Sequence, residues 1–216
     1  MRSRFDEQLS TLREYVTEMG ALCEKIIALS AEALKENDGE IKGQVRSIGQ
    51  EIDRMEGQIE SFCLKLLLRQ QPVARDLRQI SAALKLITDL ERIGDQAEDI
   101  AEILPYLKGR RGKECETVCR MMDAAAKMVN DSVTAYVNRD VALARRVAEY
   151  DDVVDDLFDE VKEKLILLIS QNADDGEYAL DLLMIAKYLE RIGDHATNVS
   201  EWVVFSVTGA HETEEK

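Results

Sequence analysis

Proline and aromatic side chains are scarce. The chain of 216 residues has two prolines, four phenylalanines, six tyrosines and one tryptophan. So few prolines leave long helices uninterrupted, and the abundance of Ala, Leu, Glu, Lys and Arg points to an all-α protein. Basic charge is also short. Lys and Arg number 28 against 43 Asp and Glu, a net charge of −15, which counts against nucleic acid or an anionic membrane surface as main partner and suits cations. No apolar run approaches about 18 residues, and the opening MRSRFDEQL has no apolar stretch. Neither a signal peptide nor a membrane span is expected, and any membrane association would be peripheral. The four cysteines, at 23, 63, 115 and 119, have no zinc-finger spacing, so they read as small packed thiols that fit a reducing, cytoplasmic location. The two histidines are His195 and His211, and no Glu-x-x-His occurs, which leaves a ferritin-like di-iron site unsupported. A Gly-rich phosphate loop, a G-x-S-x-G turn and a Cys/His pair with an orienting group are all missing, so no catalytic residue is nominated.

What the chain does have is helical spacing. Phe5, Leu9, Leu12, Val16, Met19, Cys23 and Ile26 follow each other at intervals of four and three, one face of a first helix. It fades at Glu36-Asn37-Asp38-Gly39. Ile48, Ile52, Met55, Ile59, Phe62 and Leu66 mark a second helix, and Pro72 suits the first turn of a third. That third helix carries Leu86, Leu90, Ile93, Ala97, Ile100 and Leu104 and stops near Pro105. The stretch YLKGRRGK, 106–113, divides the halves. A fourth helix uses Val118, Met121, Met122, Ala125, Val129, Val133 and Tyr136, with a turn at Asn138-Arg139-Asp140. A fifth uses Val147, Val154, Phe158, Val161, Leu165 and Leu168. After QNADDG, 171–176, a sixth uses Ile185, Leu189, Ile192, Ala196, Val199 and Val203, with Trp202 and Phe205 read as core or interface. Three long helices twice over predict two antiparallel three-helix bundles related by an internal repeat, over 1–108 and 113–209, with a polar tail at 210–216.

The repeat also carries the chemistry. The pentad Glu-Arg-Ile-Gly-Asp starts at Glu91 and again at Glu190, 99 positions later. Each copy puts two carboxylates four residues apart, Glu91 with Asp95 and Glu190 with Asp194, on one helix face. Folding the second and third helices into a hairpin brings Asp53 level with Glu91, because their midpoint is Pro72. In the second half, Asp155 pairs with Glu190 about a midpoint between Asn172 and Ala173. Asp155 is itself part of a ladder with Asp151 and Asp159. Stacked like charges repel by a few tenths of a kcal/mol per pair, roughly, at helical spacing. Two facing ladders add to that, which predicts a cation. Oxygen-only ligation suits Mg, Mn, Ca or Fe better than zinc. The competing reading is a solvated polar face opposite the core stripe, with Arg92 and Arg191 offsetting the acids as surface ion pairs. Gly94 and Gly193 each cost about 1 kcal/mol inside a helix, which fits close approach of something there. His195, beside Asp194, reads as a partly exposed helix residue more readily than as a ligand.

The run 69–102, RQQPVARDLRQISAALKLITDLERIGDQAEDIAE, and the run 180–202, LDLLMIAKYLERIGDHATNVSEW, closely resemble the two signature helices of the PhoU family. The resemblance spans residues 4–209 with both repeats in order. It implies six helices in two bundles. It further implies acidic E(D)xxxD motifs that hold multinuclear clusters of iron, zinc, magnesium or manganese. Carried over position by position, the metal ligands are Asp53, Glu91 and Asp95, then Asp151, Asp155, Glu190 and Asp194. Gly49 stands where an acid four residues before Asp53 is expected, so the first site should hold fewer ions or hold them more weakly. Asn198 stands where the first repeat has Asp99, a smaller departure. The resemblance also implies a cytoplasmic, commonly dimeric, non-enzymatic regulator of phosphate uptake and phosphate-starvation signalling. Its partners would be the ATPase subunit of the phosphate ABC transporter and a sensor histidine kinase. The alternatives are a metal-dependent hydrolase of phosphate esters and a metal-free helical scaffold.

Overall fold

The structure, a computed structural model, describes residues 2–36, 41–70, 72–107, 110 and 112–210. The expected turn at 36–39, the gap at 106–113 and the tail lie partly or wholly outside them. Six helices carry almost all of the described chain: α1 Arg2–Glu36, α2 Ile41–Gln70, α3 Ala74–Ile103, α4 Lys113–Asn138, α5 Val141–Gln171 and α6 Gly176–Thr208. Short 3-10 turns follow α3 and precede α6. The described residues contain no strand, and none of their helices is long and apolar enough to cross a membrane.

Local chemistry sets the helix ends. Pro72 and Val73 precede α3, and Val73 is extended at its N-cap, where proline rigidity costs no hydrogen bond. Arg139 ends α4 in the left-handed region, with φ 56°. Directly after it, the Asp140 carboxylate accepts the Leu143 amide at 2.9 Å and caps α5. This back-to-back stop and start makes the α4–α5 hairpin tight. Gly209, at φ 83°, closes α6.

The apolar stripes are buried largely as the spacing predicts, with two shifts. On α2 it is Cys63 that lies inside, while Phe62 sits at the edge with its ring 5.7 Å from Tyr15 in a T-shaped contact. On α5, Leu157 rather than Phe158 takes the core position. The reason is the same in both: a larger ring stays at the bundle margin and a smaller neighbour fits the packed interior.

Two three-helix bundles, α1–α3 and α4–α6, stand side by side and share one continuous core. The seam joins α1 to α4 and, most extensively, α3 to α6. Gly20 of α1 permits that approach, because a Cβ there would lie 2.7 Å from a Val133 methyl of α4. α3 and α6 are therefore covered on two sides, by their own bundle and by each other. The outer helices α2 and α5 each leave one long groove open against α3 and α6. The repeated acids lie along these grooves.

Candidate metal centre

In the first half, α2 presents Asp53 and α3 presents Glu91 and Asp95. One carboxylate oxygen from each of the three lies within 4.8 Å of the others. Asp53 and Asp95 are exposed and Glu91 is half-buried. The helices come close enough because Gly94, between the two acids of α3, packs on Ile52 of α2. A Cβ at Gly94 would meet the Ile52 side chain at 3.0 Å. The hairpin register read from Pro72 thus places Asp53 against the pentad. No other trio of His, Cys, Asp or Glu among the described residues gathers donor atoms this closely.

Charge repulsion is built into this groove. Partial burial holds Glu91 above the ordinary carboxylate range, and Asp95, Glu56 and Asp53 push it further against a small opposing pull from Arg92. Asp95 is raised by burial and then by Asp53 and Asp99. Glu56, one turn beyond Asp53 on α2, joins the field, raised by burial, Glu60 and Asp53. Three carboxylate oxygens at this separation, in a field of acids, are a donor set that could hold a hard cation.

The second groove has a similar plan with different detail. Burial and then Asp155, Asp194, Asp152 and Glu190 raise Asp151 of α5 to about 6. Asp155 is raised by burial, Glu190 and Asp194. Asp151 and Asp155 of α5 therefore feel Glu190 and Asp194 of α6. Gly193 again marks the close approach, since its Cβ would fall 3.0 Å from Asp151 Oδ1. These oxygens nevertheless stand further apart than those of the first groove. Lys187 Nζ binds Glu190 along α6, and Lys162 Nζ binds Asp159 along α5. The two ammonium groups flank Phe158 at 5.6 and 5.7 Å from its ring centre.

Several expectations change. The competing reading of a solvated face does not describe Glu91, which is half-buried beside α2, as is Glu98 further along the same helix. Arg92 and Arg191 make no ion pair with the groove acids among the described residues. Arg191 instead acts on Asp99 across the seam, opposing the rise caused by burial and Glu102. His195 is buried, not partly exposed, with Nδ1 2.9 Å from Asp89 Oδ1. Asn198 donates to the same oxygen at 3.2 Å. His195, Asn198 and Asp99 thus belong to the polar α3–α6 seam. Asp89, the acceptor that organises one end of that seam, has no sequence signal beyond a single acid between Thr88 and Leu90. The Trp202 and Phe205 rings, 5.7 Å apart, form a half-buried edge-on pair.

With this geometry in place, comparison with known proteins is informative. The PhoU domain family model matches residues 16–104 and again 118–203. A Clostridium acetobutylicum protein described as a phosphate-specific transport system accessory protein PhoU homolog is 35% identical over 210 residues, covering 96% of each chain. The chain belongs to the PhoU family. The crystal structure of PhoU from Pseudomonas aeruginosa superposes with TM-score 0.90 at 34% identity, over 95% of this chain and 100% of that one. The phosphate transport system regulatory protein PhoU from Streptococcus pneumoniae, at 24% identity, shares the fold with TM-score 0.89, over 96% of this chain and 98% of its own. The two matched segments of this PhoU-family chain fall one on each bundle.

Proposed function

We propose that this chain is a metal-binding, non-enzymatic regulator of phosphate uptake and phosphate-starvation signalling. In this reading it docks between the ATPase subunit of a phosphate ABC transporter and a sensor histidine kinase. The family and the near full-length match to relatives described as phosphate-specific transport accessory proteins support the circuit. The observation that carries the metal is the convergence of Asp53, Glu91 and Asp95 within 4.8 Å. Their donor chemistry fits Mg, Mn or Fe, with Zn less favoured by an oxygen-only set.

Asp53, Glu91 and Asp95 would hold the first ion or ions, and Asp151, Asp155, Glu190 and Asp194 the second group. A bound ion supplies positive charge that offsets the repulsion within each groove. It thereby fixes the spacing of α2 on α3 and of α5 on α6. The docking face is then an acid-lined surface whose shape and charge depend on metal occupancy. A cytoplasmic homodimer contacting the membrane only through its partners completes the reading, with the two units at 1–108 and 113–209.

A pull-down tests it. Tagged protein loaded with Mn should retain the transporter ATPase or the kinase's sensory domain, and Glu190→Ala with Asp194→Ala should reduce that capture. Undiminished capture by the double variant, or by protein stripped with chelator, would remove metal-dependent docking.

A further inference from the structure

The two grooves differ at one pair of positions, and the differences offset each other. The buried positions Ile52, Met55, Ile59 and Cys63 of α2 correspond to Val154, Leu157, Val161 and Leu165 of α5. This register pairs Asp53 with Asp155 and Gly49 with Asp151. On the inner helices the pentads pair Asp95 with Asp194, and hence Glu98 with Thr197. The first groove therefore has glycine on the outer helix and glutamate on the inner one. The second has aspartate on the outer helix and threonine on the inner one.

The Glu98 side chain lies over Gly49. A Cβ built on Gly49 would fall 1.4 Å from Glu98 Oε1 and 2.4 Å from its carboxyl carbon. The carboxylate thus fills the space that any side chain at 49 would enter. Gly49 itself is buried beneath it. Glu98 also feels the groove: burial raises it first, then Asp53 and Asp95, with Arg46 pulling the other way. On the second side the Asp151 carboxylate of α5 reaches α6 at Gly193, where a Cβ would lie 3.0 Å from its Oδ1. The position that matches Glu98 carries a hydroxyl, Thr197 Oγ1, which is buried without a hydrogen-bond partner.

We propose that Glu98, which lies outside the Asp53, Glu91 and Asp95 trio, becomes a metal ligand of the first groove once an ion is bound there, supplying from α3 the carboxylate that α2 lacks at Gly49. The inference rests on the reading that this groove binds a cation. It reverses the expectation that the glycine leaves the first site short of a ligand. It also accounts for the glycine, because any side chain at 49 would displace the carboxylate that replaces it.

The experiment uses the full-length chain with the second groove disabled by Glu190→Gln and Asp194→Asn, titrated with Mn2+ by calorimetry. Circular dichroism melts check that each variant is folded. Addition of Glu98→Gln, which keeps the side chain's shape, should weaken Mn2+ binding by about tenfold or more, since even groups behind a ligand are worth that much. The pair Gly49→Asp with Glu98→Thr recreates the second groove's arrangement and should bring the affinity back to within about threefold of the parent, under 1 kcal/mol. Unchanged affinity in Glu98→Gln, with binding abolished by Asp95→Asn, would overturn the role of Glu98 and leave the groove reading intact. Weakening in Glu98→Gln that a folded Gly49→Asp, Glu98→Thr protein does not recover would refute the exchange between helices. Mn2+ binding that is absent, or indifferent to Asp95→Asn, would remove the groove reading and this inference together.

Discussion

Asp151→Asn separates the electrostatic cost of the second groove from its metal affinity. Asp151 is raised from its ordinary 3.8 to about 6 by burial and by Asp155, Asp194, Asp152 and Glu190. The folded state therefore holds this proton more tightly than the unfolded chain. Stability then falls as pH rises from about 4 through about 6, and the full cost persists above that. Fully expressed, the rise would amount to about 3 kcal/mol. The carboxylate is only half-buried, and solvent screening reduces this to about 1 kcal/mol. Asparagine keeps the shape and removes the charge. In chelator at pH 7 the variant should melt higher than the parent by roughly 2–4 °C for a chain of this length. The advantage should shrink as pH falls through about 6 and vanish below about pH 4, where the parent's carboxyl is protonated in folded and unfolded chains alike. In saturating Mn2+ the order should reverse, because a ligand at a hundredfold excess over its dissociation constant adds about 2.7 kcal/mol to the protein that binds it. Thermal melts at several pH values, with chelator and with Mn2+, measure all three. A variant less stable than the parent in chelator at pH 7, or an advantage that ignores pH, would refute the account of mutually repelling acids.

Three further outcomes follow from the packing. Gly20→Ala should destabilise the protein by up to about 2 kcal/mol in urea denaturation, because overpacking Val133 costs about 1–3 kcal/mol against about 1 gained in helix propensity. Gly43→Ala, whose added Cβ meets nothing within 4 Å, should stabilise and serves as the control. Asp89→Ala should cost about 1–3 kcal/mol by chemical denaturation, since it strips His195 and Asn198 of their shared acceptor in a buried seam. Cys23 and Cys63 should resist an aromatic disulfide reagent until the protein unfolds. Both are fully buried, burial holds the Cys23 thiol far above its ordinary range and raises Cys63 to about 12, and Cys23 Sγ donates to the Leu90 carbonyl at 3.3 Å. Native-state labelling read by mass spectrometry would contradict the packing of α1 on α3 if it struck Cys23, and the burial of the inner face of α2 if it struck Cys63.

The six helices and their buried faces were legible because an apolar stripe at intervals of three and four has only one way to hide from water. Pairing of Asp53 with the Glu91 pentad was legible too, since a hairpin about Pro72 fixes which residues share a height. Placing Phe62 and Phe158 inside went wrong by one position, because periodicity records that a face is apolar without weighing ring size against the space available. Reading His195 as partly exposed failed for a different reason. Its partner, Asp89, lies 106 residues away on a helix of the other bundle, and no local pattern marks a contact of that kind.

By itself, then, the sequence determined the class of fold, the internal repeat and the two rows of acids, since these follow from side-chain spacing along single helices and short hairpins. Only the tertiary structure decided that α3 and α6 pack against each other, that Glu98 covers Gly49, and that the first groove gathers its oxygens more tightly than the second. Those features depend on how closely helices distant in the chain approach. That distance is set by the summed volumes of the side chains between them, a quantity that no linear pattern of residues contains.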